Sequence, residues 1–455
     1  MSQAPPAERT PTPAQTDAPA PRPARLFPLL ATFGLIAFCM ASTVWWGPAL
    51  FRSPGWSLPD DLWATLAAAQ RLAHGNIAGL YTPPTRLVTF PGAAVILVPI
   101  VAVTDAAGLS LQVQNAHNLH PAVWLLAGPY EVALSAVALF AADALAARLG
   151  TSLPKRAALA AAGAVALWNV SGRWGHPEDA VAVGLLLYAI LALSKSRTGR
   201  AAWLTGAAIS VQPLVLLAVP FLVVLIEPRR LAGFLARAAA PAAVLLGAAA
   251  AANWSATVKA VTSQPNWVTV DQATPWAYLS PHTGSGQTIA AGPARVLAIL
   301  VACGCALLMG RRWRSARKAP EWSQAILLQV LWWAAVALAL RSVFEPVMVA
   351  YYLWPPLAVA LIAASRSWSR LIPASVAATA LTLVSQLTWR GPWSWWAPMV
   401  AVLGLTLFFA RVPADNPATI PAGATASPAG ATASPAGATA SPAGATASPA
   451  GAGQE

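Results

Sequence analysis

Charge is what this chain has least of. Asp, Glu, Lys and Arg make up 9% of its 455 residues, against about 25% in a soluble domain, which excludes an ordinary water-soluble fold. Cysteine is nearly missing as well. Cys39, Cys303 and Cys305 all lie in apolar runs, and Cys303 and Cys305, two apart, fall on different helix faces. Neither a metal site nor a disulfide framework follows from them. What fills the chain instead is apolar length: 57% of residues are apolar, 21 are Trp, and the mean hydropathy is +0.59. Apolar blocks of roughly 17–25 residues recur, long enough to cross a bilayer as a helix. The composition predicts an all-α polytopic membrane protein of about 11–13 transmembrane helices.

The net charge of +13 invites a nucleic-acid partner. Its distribution argues against one, because most Lys and Arg stand in short clusters between apolar blocks. Such clusters mark the cytoplasmic side of a membrane protein, so the partners expected are membrane lipids and not nucleic acid.

Residues 1–25 are rich in Pro, Ala and Thr and read as a disordered cytoplasmic tail. Residues 411–455 form a second low-complexity cytoplasmic tail, in which PAGATAS recurs from Pro421, Pro428, Pro435 and Pro442. Seven is a coiled-coil period, but Pro in every unit and nothing larger than Ala at the core positions exclude one. Between the tails, 26–410 is the membrane domain. Helices are expected near 26–47, 121–147, 155–171, 178–194, 231–253, 292–310, 322–340, 347–364, 371–388 and 393–410. A further apolar block, 199–230, is cut at Gln212-Pro213, where proline removes a backbone donor and disfavours helix before it; two short helices in a hairpin are expected.

Residues 90–105 (FPGAAVILVPIVAVTD) set the topology. If they crossed the membrane, the basic loop RLGTSLPKR (148–156) would fall outside. If they are re-entrant or juxtamembrane, that loop joins KSRTGR (195–200), EPRR (227–230), RRWRSARK (311–318) and RSWSR (366–370) on one side. The positive-inside rule selects the second arrangement, with both termini cytoplasmic. The outer face then carries a long first loop (48–120), a second long loop (254–291) and turns at 172–177 and 341–346. All five histidines, His74, His117, His120, His176 and His282, lie there or at its edge, with Asp60, Asp61, Asp105, Glu178, Asp179, Asp271 and Glu345. Only Glu131 and Asp143 lie well inside a span, where a charge costs about 2.5–3.5 kcal/mol or more.

Within SLPDDLWATLAAAQRLAHGN (57–76), Leu62, Leu66, Ala69 and Ala73 share one helical face and Asp60, Asp61, Arg71 and His74 the other. An amphipathic helix in the outer interface is expected over 60–75. Ser57 and Asp60 have capping-box spacing, which explains Asp60 without a function; Asp61 has no such explanation. Glu178 and Asp179, after Pro177 in SGRWGHPEDAVAV, suit the first turn of a helix, where acids offset the dipole. With His176 they can equally bind sugar hydroxyls or orient a reacting group. Arg341 and Glu345 are either an exposed turn with an internal ion pair or part of a site. Tyr351, Tyr352 and Trp354 would supply aromatic surface beside them, or belong to an interfacial belt. Trp389, Trp393, Trp395 and Trp396, around Arg390, read as belt. In the second loop Trp267, Trp276 and Tyr278 are placed to stack on sugars, though a flexible cover is the plainer description.

Taken together, Asp61-Leu62, RLAHGNIAGLY (71–81), TFPGAAVILVP (89–99), WGHPED (174–179), the Gln212-Pro213 break and RSVFEPVMVAYYLWPP (341–356) resemble the C-type (GT-C) membrane glycosyltransferases. Among these the chain is most similar to the actinobacterial polyprenyl-phosphate-mannose-dependent mannosyltransferases. The resemblance spans roughly residues 26–410 and rests on short, degenerate motifs.

It implies an outward-facing cleft in which a sugar, mannose by resemblance, passes from a polyprenyl-phosphate donor to a lipid or cell-wall glycan acceptor with inversion. Asp61 takes the family's general-base position, with Asp60 as substitute. Arg341, then Arg390, Arg173 and Lys259, are the candidates for the donor phosphate. His176, Glu178, Asp179, Glu345, Tyr351 and Gln212 are expected to line the substrate. The lipid-linked sugar phosphate is a co-substrate, and neither another cofactor nor a metal is expected. Where related enzymes often carry a basic residue before the hairpin proline, this chain has Gln212. That departure keeps open a catalytically dead scaffold, and the composition keeps open a transporter or flippase of a lipid-linked glycan precursor, which would depend on Glu131 or Asp143.

Overall fold

The computed structural model describes residues 25–46, 56, 60–83, 87–109, 123–262, 266–267, 272–283, 288–290, 292–315, 322–387 and 391–411. The described elements are helical apart from five two-residue strands, and the protein is an all-α polytopic membrane protein. Six helical stretches are long and apolar enough to cross a bilayer: Leu26–Trp45, Leu125–Arg148, Pro228–Ala252, Gly292–Arg311, Gln324–Phe344 and Pro392–Ala410. Both expected tails, apart from Arg25 and Arg411, lie outside the described residues.

In chain order, α1 (Leu26–Trp46) is followed by α2 (Asp60–Ala73), α3 (Pro91–Val95) and α4 (Val98–Ala106). A π-helical turn, Val123–Ala127, opens the next pass, which continues as α5 (Gly128–Ser135) and α6 (Val137–Arg148). Next, α7 (Leu153–Leu167) ends in a second π-helical turn, Trp168–Arg173, before α8 (Pro177–Leu193). The block cut at Gln212-Pro213 consists of α9 (Thr198–Val211), a 3-10 turn Pro213–Ala218 and α10 (Val219–Val223), of which α10 packs on α13. Beyond it come α11 (Pro228–Ala252), α12 (Trp254–Thr262), α13 (Gly292–Ser315), α14 (Gln324–Phe344), α15 (Trp354–Ala364), α16 (Trp368–Val384) and α17 (Pro392–Ala410).

The helices expected from apolar length are therefore present, and the break at Gln212-Pro213 falls where proline places it. Gln212 is extended, at φ −147° and ψ 114°. The 90–105 segment is two short helices parted at Ile96 and Leu97. The longer, α4, has nine residues, or about 14 Å of rise, too little to cross a hydrocarbon core of about 30 Å.

The loops between helices gather at two ends of the bundle. At one, Lys155 Nζ donates to Arg366 O at 2.8 Å, Arg148 Nη2 to Ser194 O at 3.5 Å, and the Thr151 and Ser365 hydroxyls share a 3.2 Å bond. Three of the basic loops thus meet there. At the other end stand the start of α8, the ends of α9 and α14, and the turn before α15. Trp396 Nε1 ties α17 to this end by donating to Val343 O at 3.2 Å.

Three expectations change on contact with the packing. The apolar face of α2 is buried through Leu62, Leu66 and Ala69, but Ala64, Thr65 and Ala68 are buried too, while Ala73 is exposed. The helix is embedded against α3 and α4, not laid on a surface by one face. Tyr351 and Trp354 supply no aromatic surface, being 6% and 1% exposed. Trp395, expected in an interfacial belt, is fully buried, whereas Trp393 is 61% exposed as a belt residue would be. Aromatic residues at a helix end look alike in sequence whether they face lipid or core.

Candidate functional site

The residues between α7 and α8 are shaped to present side chains inward. The π-helical turn Trp168–Arg173 widens the end of α7; such turns are rare and cluster at functional sites. Gly175 follows at φ +62°, a left-handed conformation that glycine takes without strain. His176 then precedes α8, with Pro177 in the first turn, where its missing N–H costs nothing. The result is three buried polar residues in four positions: His176 at 4%, Glu178 at 3% and Asp179 at 0% exposure.

Each has a partner from a different part of the chain or from its neighbour. His176 Nδ1 and Glu178 Oε1 are 2.7 Å apart, and the imidazole stacks on Tyr351 at 3.9 Å between ring centres. Asp179 Oδ1 accepts from Gln212 Nε2 at 2.6 Å, and Gln212 Oε1 accepts from Thr89 Oγ1 at 3.3 Å. The Gln-Pro break therefore turns a helix end into an amide bridge between α8 and the segment before α3. That segment is fixed in turn, because Tyr81 donates its hydroxyl to Thr89 O at 3.1 Å. Burial pushes the Tyr81 phenol above its ordinary value, so it stays a donor.

Across from α8, the guanidinium of Arg341 lies 3.7 Å from the centre of the Tyr352 ring and within electrostatic reach of Asp179 and Glu345. The internal Arg341–Glu345 ion pair considered from the sequence gives way to another: Glu345, 2% exposed, is bound by Arg295 of α13. Nothing in the local spacing betrays this partner fifty residues away. Its one signal is a single arginine at the start of a helix whose other arginines, Arg311, Arg312 and Arg314, all stand at the opposite end. The turn itself is held by the loop 254–291, where Gln272 and Ala273 pair with Met348 and Val347. Thr274 Oγ1 donates to Glu345 O at 2.6 Å, and Trp276 Nε1 to Val343 O at 2.7 Å. The described part of that loop is built onto the turn, and the Trp276 N–H is engaged there. Tyr278 remains 75% exposed.

A polar chain backs the site. Trp174 Nε1 donates to Gln386 Oε1 at 3.1 Å, Gln386 Nε2 to Asn169 Oδ1 at 2.8 Å, and Asn169 Nδ2 to Ala350 O at 2.9 Å. It fixes the π-helical turn against the Tyr351 segment. Glu131 of α5, 2% exposed, lies within electrostatic reach of Glu178 and His176. It belongs to this cluster and had been set apart as a mid-span acid.

Of the expected site residues, His176, Glu178, Asp179, Gln212, Arg341, Glu345 and Tyr351 converge here. Arg173 is half-buried at the end of the turn leading into the cluster. Lys259 is exposed on α12, which packs on α11. Arg390, Trp389, Asp271, His117, His120 and the Ser57 cap lie outside the described residues, as do the side chains of Asp60, Asp61 and Trp267. The backbone of Asp60 and Asp61 starts α2. Four residues earlier Trp56, 3% exposed, donates its backbone N–H to Thr43 Oγ1 at 2.8 Å and packs on Gly128. Four residues span at most about 14 Å, so the doublet is tethered close to the α1–α5 wall that carries Glu131. Among the described residues, no group of three or more His, Cys, Asp or Glu side chains is arranged to hold a metal.

No protein-family model matches the chain, and neither does any curated protein.

Proposed function

We propose that the protein is an integral-membrane glycosyltransferase. It moves a sugar, mannose by resemblance, from a polyprenyl phosphate to a lipid or glycan acceptor at the extracytoplasmic face of the cytoplasmic membrane. The observation that supports it most is the position of the buried His176, Glu178, Asp179, Gln212 and Arg341 cluster. It sits at the bundle end opposite the basic loops, beside the anchored start of α2 that carries Asp60 and Asp61. By the positive-inside rule the basic loops are cytoplasmic, so the cluster faces out.

In this reading an acceptor hydroxyl attacks the anomeric carbon from the side opposite the phosphate. Asp61 takes the hydroxyl proton as the new C–O bond forms. The old C–O bond breaks, its electron pair leaves with polyprenyl phosphate, and the anomeric centre inverts. Negative charge grows on the leaving oxygen, which a preorganised cation stabilises. Arg173, half-buried at the end of the turn leading into the cluster, is the cation assigned this role. A transporter is less well supported, because Asp143, one of its two mid-span acids, is fully engaged by Arg156.

The test is transfer from labelled polyprenyl-phosphate-mannose in a membrane lipid extract, using purified wild type and Asp61→Asn. Product from wild type and at least a hundredfold less from the variant is expected, given the rough size of general-base catalysis. Equal transfer by both would move the base elsewhere. No transfer with mannose, arabinose or glucose donors would remove the enzyme reading.

A further inference from the structure

We infer that Asp179 and Arg341 together form a subsite for a hydroxyl of the donor sugar, and that Arg341 serves this purpose and not phosphate binding. The inference rests on the donor reading above and names which part of the donor the cluster reads.

Three buried polar atoms in the cluster have no hydrogen-bond partner: Glu131 Oε1 on α5, and Asp179 Oδ2 and Arg341 Nη1 at its centre. The last two belong to side chains that are otherwise fixed. Asp179 is held through Oδ1 by Gln212, and Arg341 is stacked on Tyr352. They stand close enough for their charges to act on each other, yet the two atoms are not bonded to one another. Together they offer an acceptor that cannot donate and a donor that cannot accept. Leaving such groups unpaired in a buried site is costly, so something that both donates and accepts belongs there.

A hydroxyl does this with one atom. Its O–H donates to Asp179 Oδ2 and its lone pair accepts from Arg341 Nη1. An ionised phosphate oxygen can only accept; it would satisfy Arg341 while facing the Asp179 carboxylate with like charge. The surroundings reinforce the choice. Glu131, Glu178 and Glu345 are each 2–3% exposed, and the nearby Arg295 is committed to Glu345. Four carboxyl groups stand against the guanidiniums of Arg341, Arg295 and, at the edge, Arg173, a balance that favours a neutral polyol over another anion. Water would also satisfy both atoms, and the experiment separates the two.

The measurement is equilibrium binding to the full-length protein in nanodiscs, followed by intrinsic Trp fluorescence. The probes are a short-chain polyprenyl phosphate, its mannosyl derivative and the monodeoxy-mannosyl analogues. Wild type is expected to bind the mannosyl lipid at least about tenfold more tightly than the bare phosphate, the size of a hydrogen bond to a charged group. One monodeoxy analogue should lose that margin, an arm that needs no variant. Asp179→Asn, nearly isosteric, should bring the ratio close to one while bare-phosphate affinity stays within about threefold, since no direct phosphate contact is removed. Parallel weakening of both lipids in Asp179→Asn would overturn the inference. Undiminished binding of every deoxy analogue would also overturn it, leaving a structural water between the two atoms. If wild type binds both lipids equally, only the hydroxyl assignment falls. If it binds neither, the donor reading falls and takes this assignment with it.

Discussion

Two buried carboxylates, at opposite ends of the same bundle, face arginines in different ways. Near the basic end, Asp143 receives both Arg156 Nε at 2.8 Å and Arg156 Nη2 at 2.5 Å, and both side chains are less than a tenth exposed. At the other end, Asp179 and Arg341 feel each other's charge but leave Oδ2 and Nη1 unbonded. The first pair is complete, with fork geometry that matches guanidinium to carboxylate. The second is held open by side chains that keep each partner in place: the Gln212 amide on one side and the Tyr352 ring on the other. The completed pair is closed to any further partner; the open one is where the proposed sugar hydroxyl would fit. Burial and charge are alike at the two ends, and hydrogen-bond completeness is what differs.

The comparison can be broken at either end. The largest effect is expected from Arg156→Ala, which leaves Asp143 buried without a partner and should cost about 3–5 kcal/mol. The check is an SDS-unfolding titration. The double change Asp143→Leu with Arg156→Met should recover much of that loss, because apolar replacements often match a buried ion pair.

Next in size is Gly92→Ala. A Cβ there would come within 2.2 Å of Ser210 O, so α3 must move away from the end of α9. Overpacking of this kind costs about 1–3 kcal/mol, read in the same titration. Asp179→Asn should change stability by no more than about 1 kcal/mol, because sites shaped for ligands carry unmet polar groups that stability does not require. An effect as large as that of Arg156→Ala would erase the distinction between the two ends. Smallest is His74→Gln. The His74–Asp105 contact is 3.6 Å with His74 62% exposed, and its loss should shift thermal stability barely measurably.

Local signals carried the fold. Apolar length placed the helices and proline at 213 placed the break after α9, whereas the interruption at Ile96 and Leu97 had no signal that was read. The site was legible as segments: WGHPED and the stretch from Arg341 to Tyr352 stood out because polar residues are scarce around them. Which residue meets which was not legible. Arg295 holds Glu345, Gln212 holds Asp179, and Asn169 reaches Ala350, each across a separation that no helical spacing encodes. Glu131 lies inside the span Leu125–Arg148 as the sequence placed it; what the sequence did not show is that it lies within electrostatic reach of Glu178 and His176. Trp395 shows the same limit, since composition cannot say which side of a helix is covered.

Gln212 gives the first outer segment and the membrane bundle a common joint. Its amide nitrogen holds the Asp179 carboxylate while its amide oxygen receives Thr89, so the rotation of one planar group sets both contacts. A chimera that borrowed residues 60–109 from another protein would therefore inherit a misaligned carboxylate unless its residue at position 89 could donate to that amide. The segment before α3 and the start of α8 are not separate modules for an engineer to exchange. They travel as a unit whose smallest exchangeable set includes Thr89, Asp179 and Gln212.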